Sequence, residues 1–305
     1  MRSILNSPAS TGMDFWSVNP YVGCEFGCSY CYARFAHQYV VERGNQPWTP
    51  EDFERRIFVK SGAADALALA VRPSRLGGAA ILIGTATDPY QPAEREHRIT
   101  RGILERLAQF HGIGVGIITK SALITRDIDL LLRIAARGRL TVCISMIGIN
   151  PALVRRLEPR TPLPAVRLRA LSRLTAAGLN AGVLLAPVLP GITDGIPQLE
   201  ALMRAARQAG AQFVRADPLR LYPALRRRFL DVVASEFPQF LKRYENAFDA
   251  RGIVRPEYTA ALKARVARLR RKHGVPEGTV GRWDSGTVGT EWSSPELQGQ
   301  LPLGC

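Results

Sequence analysis

Residues 113 to 147 read IGVGIITKSALITRDIDLLLRIAARGRLTVCISMI. Two apolar runs, Ile113 to Thr119 and Leu140 to Ile147, bracket a stretch in which apolar residues recur with helical period. Parallel strands need a long connection and hide both faces under helices, so run, helix and run together read as one crossover unit. The alternation continues in both directions. Ala79 to Thr85, Leu179 to Pro187 and Gln212 to Ala216 are further candidate strands, and Phe15 to Val18 adds one upstream, which makes six. Helices are expected over residues 62–72, 97–110, 127–137, 164–177 and 197–209. Asp127 suits the cap of the third, Gly178 a left-handed stop after the fourth, and Pro197 the first turn of the fifth. Such units close with right-handed crossovers into an α/β partial (β/α)6 barrel of the TIM type, with chemistry at the carboxyl ends of the strands. A doubly wound open sheet is the alternative. Its Gly-x-Gly-x-x-Gly turn after the first strand is missing, because cysteines occupy that turn.

Beyond the barrel and its N-terminal lead-in (1–218), the pattern changes to long helical stretches, Tyr222 to Phe248 and Tyr258 to Lys272, an expected helical extension over 219–273. Residues 274–305 are rich in Gly, Ser, Thr and Pro and read as a loop-like tail. With 305 residues, 46% apolar and 22% charged, the chain is not of the disordered class. Apolar stretches such as Ala181 to Leu189 fall short of the roughly 20 residues of a membrane span, and Met1 to Gly12 lacks a signal peptide's apolar core. A soluble, cytoplasmic protein without a membrane partner is expected. The net charge of +15 can steer a protein toward nucleic acid or another polyanion. Lys supplies only 5 of the 41 basic residues, however, so a general Arg bias explains the charge equally well.

Five cysteines stand at 24, 28, 31, 143 and 305, three of them within eight residues as C-x3-C-x2-C. Without an export signal this cluster suggests metal rather than disulfides. Gly23 and Gly27 let the loop wrap tightly. Three thiolates can hold a cubane of four irons and leave one iron open to an exogenous molecule. They can also hold zinc with His37 as a fourth ligand, although no second ligand pair exists: the other histidines are His97, His111 and His273.

The string Gly23-Cys24-Glu25-Phe26-Gly27-Cys28-Ser29-Tyr30-Cys31-Tyr32 resembles the signature of the radical S-adenosylmethionine (radical SAM) superfamily. The segments Thr85 to Glu94, Thr119-Lys120-Ser121, Arg126-Asp127, Ser145, Glu158-Pro159 and Ala186 to Gly191 are similar to its spore photoproduct lyase-like branch, also called DNA repair photolyase-related. The resemblance covers roughly residues 14 to 220 and implies a radical SAM partial barrel. It implies that Cys24, Cys28 and Cys31 hold a 4Fe-4S cluster whose open iron chelates the amino and carboxylate groups of S-adenosylmethionine. Reductive cleavage then gives methionine and a 5'-deoxyadenosyl radical that abstracts hydrogen from a substrate. An electron donor such as flavodoxin or ferredoxin is an implied partner. Lys120, a cation at the end of an apolar strand, suits the carboxylate of S-adenosylmethionine. Thr87 and Asp88 stand where the superfamily receives the ammonium group, though Asp88-Pro89 also reads as a turn starter. Tyr30 resembles the residue flanking the adenine, Tyr32 follows in the same cofactor-binding string, and Ser145 can reach the sugar or carboxylate.

One departure bears on the reaction. Spore photoproduct lyases carry a hydrogen-donating cysteine near the end of the second strand, where this chain has Thr85 or Ala86, and O–H and C–H bonds are stronger than a thiol S–H. Cys143 is the internal alternative as hydrogen donor. Strand alternation puts it on one face with Thr141 and Ser145, where it can equally be a small packing thiol. For a nucleic-acid substrate the densest basic candidates are Arg220 with Arg226, Arg227 and Arg228, and Lys263, Arg265, Arg268, Arg270, Arg271 and Lys272. Trp283 and Trp292 in the tail add stacking options. The expected function is therefore radical SAM chemistry in DNA lesion repair or nucleic-acid modification. The alternatives are the same chemistry on a peptide or small metabolite, and a metal-cluster binding protein without catalysis.

Overall fold

The computed structural model describes residues 4–34, 49 and 51–278. Its strands are β1 (Leu5–Asn6), β2 (Trp16–Val18), β3 (Tyr21–Val22), β4 (Phe58–Val59), β5 (Ile81–Ile83), β6 (Gly114–Thr119), β7 (Arg139–Met146), β8 (Ala181–Val188) and β9 (Val214–Pro218). The six expected strands form one sheet in chain order, β2-β5-β6-β7-β8-β9, every neighbouring pair parallel, with β1 added antiparallel at the β2 edge. All their carboxyl ends therefore lie on one rim. Between strands run the helices α1 (Ala63–Ala70), α2 (Ile99–Leu107), α3 (Ile128–Arg137), α4 (Pro164–Ala176) and α5 (Ile196–Gln208).

The apolar spacing explains how these helices seat. α2 buries Thr100, Ile103, Leu104 and Leu107, one stripe at helical spacing, and α5 buries Leu199, Leu202, Met203 and Ala206 in the same way. Their stripes join the helix-facing side chains of the sheet, among them Val142, Ile144 and Met146, in one large core. The opposite face of the sheet carries a smaller cluster of Cys143, Leu184 and Phe213 with Ile118 and Ala186. Gly178, at φ +83°, makes the left-handed stop after α4 that its position predicts.

Several expectations change. β5 ends at Ile83, because Gly84 turns the chain with φ +95°. Asp127 occupies the cap position of α3, but its carboxylate makes no cap bond; it accepts instead from Arg101 (2.7 Å) and Arg126 (2.8 and 2.9 Å), a charge-assisted pairing that outcompetes a backbone cap. The helical stretch expected over Tyr222 to Phe248 is divided into α6 (Pro223–Glu236), a 3-10 turn and a short helix Leu241–Asn246. Pro238 explains the break, since the residue before proline is driven out of the helical region and Phe237 is at φ −142°. The antiparallel pair β3–β4, two residues in each strand and far apart in the chain, is too brief to leave an alternating pattern, and it anchors the chain immediately before Cys24.

Two apolar clusters place the C-terminal segments. The long helix α7 (Pro256–His273) buries Leu262, Val266 and Leu269 in the main core. Phe229, Val233, Phe237, Tyr244 and Phe248 pack in a second cluster with Cys24, Phe26, Cys28 and Tyr30, so this part of the chain covers the cysteine loop. No described helix is long and apolar enough to cross a membrane. His37, Trp283, Trp292 and Cys305, together with most of the expected tail, lie outside the described residues.

Candidate active site

The loop after β2 and β3 presents three free thiols at the carboxyl rim: Cys24 and Cys28 are buried and Cys31 half-buried. Backbone bonds shape it, from Cys24 N–H to the Phe53 carbonyl (2.8 Å), Cys31 N–H to Cys28 (3.2 Å) and Ser29 N–H to Leu157 (2.9 Å). Gly23 sits at φ +87°, and a Cβ there would lie 2.8 Å from the Phe53 carbonyl oxygen, so no other residue fits the entry to the loop. The turn after β5 grips the same segment. Thr87 Oγ1 donates to the Gly23 carbonyl (2.6 Å), while the buried Gln91 amide donates to Thr87 Oγ1 (2.9 Å) and accepts from Glu25 N–H (2.8 Å).

Burial pushes all three thiols up, Cys28 to about 12, and each cysteine also feels a neighbour's charge: Asp88, Cys28 and Cys31 act on Cys24, and Cys31 acts on Cys28. Buried thiols of this kind are poor anions by themselves and become thiolates when a metal centre supplies positive charge. Three sulfur donors on one loop suit an iron-sulfur cluster. No three His, Cys, Asp or Glu side chains among the described residues are gathered around a single metal-ion position. His37, the fourth ligand of the zinc alternative, lies outside the described residues.

Around the loop the structure gathers most of the expected site residues. Lys120, half-buried at the end of β6, has its Nζ 5.9 Å from the centre of the Tyr30 ring. Burial opposes the charge of Lys120, but Cys28 and Glu158 outweigh it and raise its pKa. The Tyr30 hydroxyl donates to Glu158, whose other oxygen accepts from Arg167 and from Thr161 Oγ1 (3.1 Å). Glu158 and Arg167 are both wholly buried. Arg167 also donates to the carbonyls of Ser145 (2.9 Å) and Pro162 (2.7 Å). Ser145 Oγ donates to the Ala186 carbonyl at 3.3 Å. Asp88 accepts from Thr119 Oγ1 (2.7 Å), Lys120 N–H (2.7 Å) and Tyr90 N–H (2.9 Å), which ties the turn after β5 to the end of β6. Three of its four acceptor sites are thus occupied by protein. Tyr32, 37% exposed, donates its hydroxyl to the Thr85 carbonyl and meets the Tyr222 ring edge-on, centroids 6.4 Å apart.

Residues 18–203 match the family model of the radical SAM superfamily. The chain belongs to that superfamily. It is 34% identical over 274 residues to the uncharacterized protein Rv2578c of Mycobacterium tuberculosis, covering 89% of this chain and 79% of that one. It is 28% identical over 214 residues to the uncharacterized protein ORF301 of Acidianus two-tailed virus, covering 68% and 67%. Among solved structures, spore photoproduct lyase complexed with dinucleoside spore photoproduct superposes with a TM-score of 0.60 at 16% identity, over 85% of this chain and 74% of that one. The sheet described above is thus the partial TIM-type barrel of a radical SAM enzyme, whose cofactors are a 4Fe-4S cluster and S-adenosylmethionine.

In this radical SAM enzyme the turn residues expected at the cofactor also serve the protein itself. Thr87 spends its hydroxyl hydrogen on the Gly23 carbonyl, so its shown contact is with the cysteine loop. Gln91, which grips that loop, and Glu25, which lies in the loop and accepts the Ala93 N–H on its carboxylate, were not singled out from sequence; a buried Gln in a turn carries no spacing signal. Arg167 was missed too, because it sits on an amphipathic helix among other arginines. Cys143 lies, as alternation predicts, on one face with Ser145, but it is wholly buried among Leu184, Phe213, Ile118 and Ala186. Burial pushes its thiol up to about 12. This is the environment of a packing thiol. Cys143→Ala is expected to leave S-adenosylmethionine cleavage intact and to lower stability by about 1 kcal/mol. The yield of 5'-deoxyadenosine and the unfolding midpoint check this, and loss of the cluster in that variant would show the ligands to be wrongly assigned.

Proposed function

We propose that this radical SAM enzyme acts on nucleic acid, in repair of a DNA lesion or modification of a base, and takes its electron from a flavodoxin- or ferredoxin-type donor. The observation that carries the reading is an aromatic pair at the mouth of the site. Tyr32 and Tyr222 stand edge to face beside the cysteine loop; burial pushes the Tyr32 hydroxyl up, and Arg220 is near enough to offset part of that push. An aromatic step with a guanidinium beside it is a platform for a base and its phosphate. The basic surface is more local than composition implies. Arg270 pairs with Glu277 (2.7 Å), Lys272 with Glu200 (2.6 Å) and Arg228 with Glu51, while Arg265 donates to the Asp194 carbonyl. Arg226 likewise donates to the Glu245 carbonyl, so much of the basic charge of the C-terminal segments is already engaged within the protein.

Cys24, Cys28 and Cys31 would hold the cluster, and Lys120 would receive the carboxylate of S-adenosylmethionine. Bound there, the two cofactors supply reductive cleavage and a radical that removes hydrogen from the substrate. The chain's own part is to bind, orient and exclude water. The cysteine loop is fixed by Thr87, Gln91 and Glu25, and the apolar patch of Leu184, Phe213 and Ile118 lines the inner face of the sheet. In the turn after β5, Thr85 Oγ1 accepts from the Asn19 side-chain amide N–H (3.0 Å) and Ala86 N–H donates to Asn19 Oδ1 (2.8 Å). Neither offers a weak S–H bond there, which favours a reaction that ends differently from thymine spore photoproduct repair.

Oligonucleotide binding tests this reading. Affinity for a short DNA is expected to fall at least tenfold between 50 and 200 mM salt, and Tyr222→Ala is expected to weaken it about fivefold or more through lost stacking. Absence of binding at low ionic strength would overturn the nucleic-acid assignment in favour of a peptide or small metabolite.

A further inference from the structure

Beside the cysteine loop, and outside the set of expected cofactor ligands, lies a buried ionic chain that the cluster itself does not require. Glu158 and Arg167 are 0% and 1% exposed and form an ion pair. Ion pairs withdrawn this far from water yield little net stability compared with apolar residues of similar size, so their geometry is the more informative feature. Arg167 is immobilised by four acceptors: Glu158, Thr161 Oγ1 and the carbonyls of Pro162 and Ser145. Glu158 is immobilised in turn by Arg167 and Thr161, and its remaining oxygen takes the Tyr30 hydroxyl. A phenol held at its oxygen has its ring plane and position set, and that ring is the surface over which the Lys120 ammonium rests at 5.9 Å. The backbone of Lys120 is fixed independently by Asp88.

We infer that Glu158 is a positioning residue for cofactor binding: held by Arg167, it fixes Tyr30, and the Tyr30 ring sets where the Lys120 ammonium meets the carboxylate of S-adenosylmethionine. This rests on the assignment of Lys120 to that carboxylate. A flexible four-carbon stem ending in a strongly hydrated charge loses much freedom on binding, and a ring fixed beneath it removes part of that loss beforehand.

The test is equilibrium binding rather than turnover, using the cluster-reconstituted full chain under anaerobic conditions. Two ligands are compared, S-adenosylmethionine and its decarboxylated analogue, which keeps the sulfonium, ribose and adenine. Wild type is expected to prefer the carboxylate-bearing ligand. Lys120→Met should reduce that preference by about tenfold or more. Tyr30→Phe keeps the ring and removes only the oxygen that Glu158 holds; it should reduce the preference by about three- to tenfold, with iron content retained. Glu158→Gln should follow Tyr30→Phe in direction. If Lys120→Met abolishes the preference while Tyr30→Phe and Glu158→Gln retain it, Glu158 does not position Lys120 and the inference falls while the ligand assignment stands. If Lys120→Met itself retains the preference, the ligand assignment falls and the inference with it. If Tyr30→Phe weakens both ligands equally or loses iron, Tyr30 serves only to hold the loop, and the inference is again overturned.

Discussion

Alanine in place of Cys24, Cys28 or Cys31 is expected to abolish both the charge-transfer absorbance of the reconstituted protein and its production of 5'-deoxyadenosine from S-adenosylmethionine with a strong reductant. The expectation follows from the donor count as much as from the family. The loop carries three free thiols, and a cluster held by three protein sulfurs with one iron open would lose its attachment when one of them is removed. Each single change should be nearly all-or-none for cluster content. Its effect on the apoprotein should be small by comparison, about 1 kcal/mol, because a buried thiol replaced by a methyl group forfeits little packing. Iron content, the visible spectrum and the unfolding midpoint of the apoprotein therefore separate lost ligation from lost folding. A single variant that keeps full iron and colour would sink the assignment of that cysteine.

Arg167→Met is expected to be the most destabilising change in the barrel outside the apolar core, costing about 3–5 kcal/mol at neutral pH. It leaves the Glu158 carboxylate wholly buried and strips the Ser145 and Pro162 carbonyls of a donor. In the wild type, burial pushes Glu158 up, but Arg167 and then Lys120 outweigh it and hold the carboxyl below its ordinary value. A depressed carboxyl contributes stability in full above its unfolded pKa of about 4.3, and the contribution is lost as pH falls through the lower folded value. Without Arg167 the balance shifts toward burial, so a proton relieves the charge. The cost of the substitution should therefore be largest near neutrality and shrink in acid. Urea unfolding at pH 7 and pH 4.5 checks both claims; a cost below about 1 kcal/mol, or one that grows in acid, would mean that the pair is not what holds this corner.

Period and spacing along the chain were enough to place the barrel and its reactive loop. Runs such as Val115 to Thr119 and Val142 to Met146 report burial on two faces, and C-x3-C-x2-C after the first strand reports three converging thiols; both are local properties, carried by residues adjacent in the chain. Which charge neutralises which was a matter for the tertiary structure alone. Tyr30 meets Glu158 across 128 positions, Thr87 serves Gly23 across 64, and Asp127 forgoes its cap for Arg101, 26 positions away. A side chain's partner depends on which distant segments the folded backbone brings within bonding distance. Hydrophobic patterning sets the direction in which a residue points but is silent on what stands opposite it.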